Sequence, residues 1–353
     1  MGSEMCIRDS SLPQGKYNIT VALFEDNTFY RKFIRNPADI VILQGKNIVK
    51  FLNLIFGLRK VIKEKKPDTI LSIMYPSNVI SIISRRLSNR DCRLICCEHN
   101  YPTMYLKETH FGFIKKILMK TVYRNADIFV AISETIGNCL VKDFKVKKEN
   151  LRIINNPVPV EDIELFAKEE VKHPFFDDEK NRVIISAGRF IKKKGFGKLI
   201  NAFKKVVAAS QNARLILLGE GELMEEIKHL VKQLNLEDFV FFAGFQANPY
   251  KWFSRAHVFV LASDYEGFPM VVLESLACGI PVITFKTPSG ATDIIKNNKE
   301  GFIVPMDDID CLSKKILELI CNEYLLKQFS VSAKKRSLDF DVKKIMPQYD
   351  SIL

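Results

Sequence analysis

The sequence has no apolar run of the about 18 residues that a helix needs to span a bilayer. Its N-terminus lacks the continuous apolar segment of a secretory signal, so we expect none. None of its eight cysteines forms a C-x-x-C pair, which argues against a zinc ribbon or a redox motif. Buried thiols in a reducing cytoplasm explain these cysteines better than disulfides. No His/Cys cluster has metal-ligand spacing, and no aromatic-rich RNA-binding segment is present, so we expect neither a metal nor nucleic acid as a partner.

The composition is that of a globular protein with more than one domain. Hydrophobic residues make up 47% of the 353 residues and charged residues 27%. A chain of this length is too long for one ordinary core, which favours two domains. The net charge of +12 suits an anionic membrane, a phosphorylated substrate or nucleic acid, but compositional drift explains it equally well.

Short β-rich runs alternate with helical patterns, which is typical of βαβ units and a parallel sheet. In the first half, strands are predicted at Tyr17–Phe24, Asp39–Leu43, Thr69–Met74, Leu94–Glu98, Asp127–Ile132 and Leu151–Ile154. Helices are predicted between them, for instance at Asn47–Lys65, Asn78–Leu87 and Gly112–Tyr123. In the second half, strands are predicted at Arg182–Ala187, Arg214–Leu218, Phe239–Phe242, Val258–Leu261 and Val282–Phe285. The predicted fold class is therefore α/β, with two Rossmann-like domains and a ligand cleft at the carboxyl ends of their strands.

The domain boundaries follow from changes in composition. A polar, acidic stretch with two prolines predicts a linker over residues 160–180. It separates an N-terminal domain, 11–159, from a C-terminal domain, 181–338, and the residues after 339 read as a separate helix. The first ten residues, MGSEMCIRDS, have no periodicity and resemble a translated sequencing-library adaptor. We therefore expect a chain truncated at its N-terminus that lacks its first strand, glycine-rich loop and helix.

The segment EGFPMVVLE carries the strongest chemical signal of the sequence. It places Glu266 in a loop and Glu274 about one turn inside the following helix, with Pro269 suited to the first helical position. The backbone amides at the start of this helix can receive a phosphate or an electron-rich hydroxyl group. A carboxylate on each side can accept hydrogen bonds from sugar or ribose hydroxyls. The segment predicts a site for a sugar nucleotide, the alternative being a buried helix that happens to carry two glutamates.

Three further segments end predicted strands with polar or glycine residues. GRFIKKKG places Gly188, Arg189 and Lys194 after a strand, where the two cations suit a diphosphate. The alternative is a basic surface turn, since the spacing does not match a P-loop. The GEG turn at Gly219 is a weak nucleotide signal because a third glycine is missing. His99 directly follows the predicted strand Leu94–Glu98, a position that favours a role in the site over a structural one.

With these residues placed, the chain resembles the family 4 retaining glycosyltransferases of the GT-B fold. The resemblance is carried by GRFIKKKG, GEG, FAGF, EGFPMVVLESLACGIPVI and the stretch from TPSGATDII to EGFIVP. It covers nearly everything from Tyr17 onward, and the relatives it suggests are bacterial enzymes of surface polysaccharide and glycan synthesis. The N-terminal half matches more loosely, and the family's glycine-rich N-terminal loop has no counterpart here.

The resemblance implies a role for each candidate residue. Arg189 and Lys194 would hold the donor diphosphate, Glu274 the ribose, and Glu266 the donor sugar. His99 would contact that sugar from the other domain, and the C-terminal helix would cross back onto the first domain. The remaining predicted donor-binding residues are glycines at turns or follow Glu266: Gly188, Gly219, Gly244, Gly267, Phe268, Pro269 and Met270.

The predicted function is metal-independent, retaining transfer of a sugar, without a cofactor, to a glycan or lipid-linked acceptor. A UDP-sugar is the expected donor, with guanine the less favoured base, and the cytoplasm or the inner face of the plasma membrane is the expected location. We expect same-face attack, with the donor's own phosphate oxygen accepting the proton.

Other function classes also stay open. A glycosidase also uses two carboxylates, but a fully helical pair eight residues apart is about 12 Å apart, too far for a retaining hydrolase. A nucleotide-sugar epimerase would want further acid/base groups beside His99. A basic, non-catalytic protein bound to membranes or nucleic acid, with a decayed site, is the third alternative.

The predicted helix Phe111–Arg124 alternates apolar residues with lysines. Phe113, Ile114 and Ile117 stand beside Lys115 and Lys116. This helix could lie on an anionic membrane and present the site to a lipid-linked acceptor. The equally plausible alternative is a surface helix packed on the sheet.

Overall fold

The computed structural model describes residues 15–24, 39–43, 48–288 and 290–353. In this part of the chain the strands are β1 (Thr20–Leu23), β2 (Asp39–Ile42), β3 (Thr69–Ile73), β4 (Arg93–Glu98), β5 (Ile128–Ala131), β6 (Leu151–Ile153), β7 (Arg182–Ala187), β8 (Ala213–Leu218), β9 (Val240–Gly244), β10 (Val258–Leu261), β11 (Val282–Phe285) and β12 (Gly301–Val304).

The α-helices of the same ranges are α1 (Ile48–Lys65), α2 (Ser77–Ser88), α3 (Pro102–Glu108), α4 (Gly112–Val122), α5 (Glu134–Phe144), α6 (Val160–Phe166), α7 (Pro174–Asp177), α8 (Phe196–Ala209), α9 (Met224–Gln233), α10 (Tyr250–Phe253), α11 (Met270–Ala277), α12 (Ala291–Ile294), α13 (Ile309–Ile320), α14 (Glu323–Ser337) and α15 (Val342–Asp350). Strands and helices alternate, as the sequence predicts.

The chain divides into two compact units. The N-terminal unit comprises the residues up to Pro157 together with Val342–Leu353, and the C-terminal unit comprises Val158–Asp341.

The C-terminal unit is built on a six-stranded parallel sheet in the order β12-β11-β10-β7-β8-β9. Its central strands are buried on both faces, which explains their continuous apolar sequences such as VIISA and LILL. The apolar sides of α8 and α13 pack into the same core as Ile184, Leu215 and Val260. The chain order changes direction between β7 and β10, the type of position where open α/β sheets bind ligands.

The N-terminal unit has a four-stranded parallel sheet, β3-β4-β5-β6, and a parallel pair formed by β1 and β2. The C-terminal helix α15 belongs to this unit. Its buried Ile345, Met346 and Tyr349 pack with Ile95 and Val130 of the four-stranded sheet. The expectation that the last helix returns to the first domain is thereby confirmed.

The structure differs from the sequence prediction in the region expected to be a linker. Residues 160–180 contain α6 and α7 and belong to the C-terminal unit. Val160 and Ile163, three residues apart on α6, are buried, and α6 packs against α10 and α11. The acidic residues of this stretch belong to its solvent-facing side, whereas the two apolar residues determine where it packs.

The strand β12 is not among the predicted strands. It begins at Gly301, where a Cβ atom would lie 1.8 Å from the carbonyl oxygen of Val282 on the neighbouring strand. The glycine that permits this approach lowers the strand propensity of the segment. The predicted adaptor-derived residues 1–10, and the start of the helix predicted at Asn47, lie outside the described residues.

Candidate active site

The loops after β7, β8 and β9 meet at the carboxyl end of the six-stranded sheet. The backbone N–H of Gly219 donates to the carbonyl of Gly244 at 2.8 Å, and that of Phe190 donates to the carbonyl of Glu220 at 2.9 Å. The candidate residues of GRFIKKKG, GEG and FAGF are therefore neighbours in space, although they are far apart in the sequence.

Two glycines let backbone segments at this end of the sheet approach each other closely. At Gly219, with φ +121°, an added Cβ atom would lie 2.0 Å from the carbonyl oxygen of Gly188. At Gly195, with φ +65°, it would lie 2.0 Å from the carbonyl oxygen of Ala262. A side chain at either position would clash with backbone and would also be strained, because L-residues rarely adopt these φ values.

A buried ion pair lies at the centre of the candidate site. The Nζ atom of Lys194 is 2.5 Å from Oε1 of Glu266, and the side chains are 17% and 11% exposed. The hydroxyl of Ser263 donates to the same Oε1 atom at 2.8 Å. These contacts hold the carboxylate of Glu266 in one orientation, and they bring together two residues that the sequence analysis assigned to one site.

The loop after β11 packs against the same glutamate. At Gly290, with φ +93°, an added Cβ atom would lie 2.9 Å from Cβ of Glu266 and 3.1 Å from Cδ of Pro269. Ser263 and Gly290 were not predicted as site residues. The sequence carries a weak signal for them, because Ser263 follows a predicted strand and Gly290 lies in the TPSGATDII segment.

The residues after Glu266 lead directly into α11, which begins at Met270. Pro269 precedes the first helical residue instead of occupying it, and no side chain caps the helix N-terminus. The side chains of Phe268 and Pro269 are buried, and the ring of Phe268 lies 5.7 Å from that of Phe340. At Phe268 and Pro269, the predicted contribution to ligand binding can therefore come only from the backbone, and Pro269 has no N–H to donate.

Glu274 lies one turn inside α11, as predicted, and is half-buried. The hydroxyl of Tyr250 lies 3.5 Å from Oε1 of Glu274. Burial, and then the negative charge of Glu274, raise the pKa of Tyr250 well above its usual range. Tyr250 stays a neutral hydrogen-bond donor and is a neighbour of the site that the sequence analysis did not identify.

Arg189 is exposed next to Gly188. Within the described ranges, no acidic side chain forms an ion pair with its guanidinium group. Arg189 can therefore reach an anionic ligand without first breaking a salt bridge.

The remaining predicted residue, His99, belongs to the N-terminal unit and is buried directly after β4. Its neighbour Glu98 is 1% exposed, accepts a hydrogen bond from the hydroxyl of Tyr123 at 3.0 Å and another from the backbone N–H of Asn100 at 3.4 Å. Burial raises the pKa of Glu98 to about 7. His99 was predicted as a site residue and Glu98 was not, because the sequence of a strand-terminal carboxylate gives no indication of its burial.

The described residues contain no group of three His, Cys, Asp or Glu side chains that could hold a metal ion. None of the helices in these ranges is both long enough and apolar enough to span a bilayer. The seven cysteines that the structure describes are all free thiols.

Known protein families match both units. The model for Glycosyl transferases group 1 matches residues 167–336, and that for Glycosyltransferase Family 4 matches residues 11–162. A relative from Campylobacter jejuni is 31% identical over 302 residues, which cover 84% of this chain and 80% of the relative. The chain belongs to the family 4 glycosyltransferases. It is therefore a transferase of glycosyl groups, and the predicted family is confirmed.

The Campylobacter relative is named N-acetylgalactosamine-N,N'-diacetylbacillosaminyl-diphospho-undecaprenol 4-alpha-N-acetylgalactosaminyltransferase. The amylovoran biosynthesis glycosyltransferase of Erwinia amylovora is 26% identical, and the alignment covers 98% of this chain and 93% of that protein. An Anabaena protein, HepE, crystallised with UDP, has a TM-score of 0.83 and 20% identity, with 99% of this chain and 95% of that one covered. At this identity the match concerns the fold, and it confirms the predicted GT-B class.

Proposed function

We propose that this glycosyltransferase moves a sugar from a nucleotide diphosphate donor, a UDP-sugar, to a saccharide acceptor with retention of anomeric configuration. One observation carries the proposal. The buried Lys194–Glu266 pair lies at the carboxyl end of the parallel sheet, beside the uncapped N-terminus of α11. This arrangement combines a cation for a phosphate, a carboxylate for sugar hydroxyls and a helix N-terminus in one place.

The donor diphosphate would lie against Arg189 and Lys194. Arg189 offers a planar fork of donors, which no acidic side chain of the described ranges engages in a salt bridge. The turns at Gly188, Gly219 and Gly244 let the backbone approach the nucleotide. Glu274 would accept hydrogen bonds from the ribose hydroxyls. The pairing of Lys194 with Glu266 does not prevent its contact with phosphate, because an ammonium group has three donors and can bridge both anions.

The reaction requires stabilisation of the departing diphosphate. The bond between the anomeric carbon and the phosphate oxygen breaks as the bond to the acceptor oxygen forms on the same face of the sugar. The acceptor proton passes to the donor's own phosphate oxygen, and UDP leaves. Arg189, Lys194 and the N-terminus of α11 would stabilise the charge that develops on the diphosphate, so no metal is required in this proposal.

Glu266 would orient the sugar instead of attacking it. Its carboxylate is held by Lys194 and Ser263. The backbone N–H groups of Gly267, Phe268 and Met270 would donate to the sugar hydroxyls, whereas Pro269 has no N–H. Such hydrogen bonds position the anomeric carbon for attack. We assign His99 a contact with the donor sugar from the N-terminal unit.

We propose an acceptor saccharide linked through a diphosphate to a lipid, in bacterial surface polysaccharide or glycan synthesis. The support is the Campylobacter relative, whose name includes a diphospho-undecaprenol acceptor. The free thiols suit a reducing compartment, and we place the reaction in the cytoplasm.

The first test is a calorimetric titration with UDP, GDP and NAD. UDP should bind in the micromolar range, and Glu274→Ala should weaken it by at least tenfold, since hydrogen bonds to a charged group contribute about 1.5–3 kcal/mol each. Glu226→Ala, which changes an exposed glutamate on α9, should bind UDP normally. A preference for GDP would mean that the donor is a GDP-sugar, and the proposed transferase reaction would still stand. No binding by a folded sample would refute the proposed site.

The stereochemistry and the metal requirement need a second measurement. Proton NMR of the initial product should show the anomeric configuration of the donor, and activity should survive EDTA. An inverted product would refute same-face attack, and a loss of activity that Mg²⁺ or Mn²⁺ restores would refute the metal-independent mechanism.

A further inference from the structure

The outer face of α4 in the N-terminal unit exposes a concentration of large apolar side chains. Phe111 is 76% exposed, Phe113 77%, Ile114 61% and Ile117 49%. Ordinary surfaces carry such residues singly. These four lie within seven residues of sequence, so they form one patch.

The helix geometry places this patch away from the body of the unit. Phe113 and Ile117 are one turn apart on the same face, and Ile114 flanks them. Met119, on the opposite side, is completely buried, and α4 packs against α2, α3 and α5. One side of the helix therefore holds it in the fold, while the other presents the apolar residues to solvent.

Basic residues surround the apolar patch. They are Lys116, Lys120 and Arg124, whereas Lys115 lies on the side of the buried Met119, and no acidic residue occurs between Thr109 and Ala126. No ion pair involving the three surrounding cations occurs among the residues the structure describes. Their charges are therefore available to an anionic surface.

We propose that this face of α4, together with the flanking residues Phe111 and Arg124, binds the N-terminal unit to an anionic lipid bilayer. Phe113 and Ile117 would enter the boundary between headgroups and acyl chains, and the cations would contact anionic headgroups. A nucleic acid would bind the cations, but it would leave the apolar side chains exposed to water. The inference rests on the proposed lipid-linked acceptor, because such a surface would bring the enzyme to that acceptor.

The test is co-sedimentation of the full chain with phosphatidylcholine vesicles, with and without phosphatidylglycerol. The wild-type chain should bind only the anionic vesicles and should dissociate at high salt. Phe113→Ser/Ile117→Ser and Lys116→Glu/Lys120→Glu should each weaken binding by at least tenfold. Both pairs change surface side chains, so the variants should melt like the wild-type protein.

Matched controls lie on the C-terminal unit. Val331→Ser removes another exposed apolar residue, and Lys232→Glu/Lys327→Glu reverses two other exposed lysines. Both should bind anionic vesicles like the wild-type chain. Equal losses in controls and patch variants would mean a general charge effect and would overturn the inference.

The nucleotide titration separates this inference from the proposed function. If the wild-type chain binds UDP but does not sediment with anionic vesicles, the membrane-binding surface is refuted and the donor site stands. If the patch variants only convert a dimer to a monomer in light scattering, the patch is a contact between two copies and the inference also fails. If the chain binds vesicles but no nucleotide, the membrane-binding surface stands and the donor site is refuted.

Discussion

Glu266 and Glu98 both lie near the carboxyl ends of parallel strands, one in each unit, and both are buried. Glu266 has the ammonium group of Lys194 at 2.5 Å. Glu98 instead accepts hydrogen bonds from Tyr123 and from a backbone N–H, and in the described part of the chain it forms no ion pair with a Lys or Arg.

The comparison shows two ways to bury a carboxylate. A neighbouring cation stabilises the ionised form, whereas burial without a cation favours the protonated form and raises the pKa, to about 7 for Glu98. The first arrangement keeps two charges ready for a polar, anionic ligand. The second forms a polar connection inside the N-terminal unit, beside His99. Three substitutions test this difference, and their expected effects decrease from Lys194 to Glu98 to Tyr123.

The largest effect is expected from Lys194→Met. Transfer activity should fall about 100- to 1000-fold, because a donor aimed at the departing diphosphate is lost. The free energy of unfolding of the C-terminal unit should fall by roughly 3 kcal/mol, because Glu266 stays buried without its cation. Urea unfolding monitored by fluorescence of Trp252, the single tryptophan, reports on this unit.

The double variant Lys194→Met/Glu266→Gln separates the two consequences. Removing both charges should restore most of the stability, because no uncompensated charge is left, but activity should stay low. Activity of Lys194→Met within about threefold of wild type would mean that this lysine does not act on the diphosphate.

Glu98→Gln should change the pH dependence of the N-terminal unit. Because the folded-state pKa is about 7 and the ordinary value is 4.5, the unfolded state ionises first as the pH rises. The stability of the wild-type unit should fall between these values relative to the variant, by about 3 kcal/mol in total, and stay low above pH 7. Alkylation of the buried thiols of Cys96 and Cys97 in urea measures unfolding of this unit.

Alkylation rates of wild type and Glu98→Gln are compared at the same pH, because the effect of thiol ionisation on the rate is then the same in both proteins. The difference in stability should grow from about pH 4.5 to about pH 7 and stay constant at higher pH. Parallel curves for the two proteins would show that Glu98 binds no extra proton in the folded state.

Tyr123→Phe should have the smallest effect. It removes the hydroxyl that donates to Glu98 but keeps the ring contacts with Phe129 and Phe144. A loss of about 1 kcal/mol is expected, and the pKa of Glu98 should rise further because this hydrogen bond lowers it. The pH-dependent loss of thiol protection should move to higher pH. Tyr324→Phe, an exposed control, should leave it unchanged, and an unchanged profile in Tyr123→Phe would contradict the assigned hydrogen bond.

Much of the fold could be predicted from the sequence, because buried parallel strands are continuous apolar runs and the helices between them are amphipathic. Eleven of the twelve described strands were predicted with small errors at their ends. The exception, β12, opens with a glycine. The linker prediction was wrong because Val160 and Ile163, among acidic neighbours, gave too weak a pattern.

The candidate site, like the fold, was predicted only in part from the sequence. Glycines at strand ends and the EGFPMVVLE segment were visible in the sequence because turns and helix starts depend on local backbone chemistry. Ser263, Tyr250 and Gly290 were not identified. Each contacts a site residue through a neighbouring loop or helix, and a single sequence carries no record of such pairs.

The sequence by itself determined the alternation of strands and helices, the loops that carry glycine and charge, and the family to which the chain belongs. Strands, helices and turns depend on interactions between residues close in the chain, and the family is carried by short local motifs. Only the tertiary structure decided that Glu266 has a cation beside it, that Glu98 has none among the described residues, and that one face of α4 stays exposed. Burial and pairing depend on residues far apart in the sequence, such as Lys194 and Glu266, which are 72 positions apart and which only packing brings into contact.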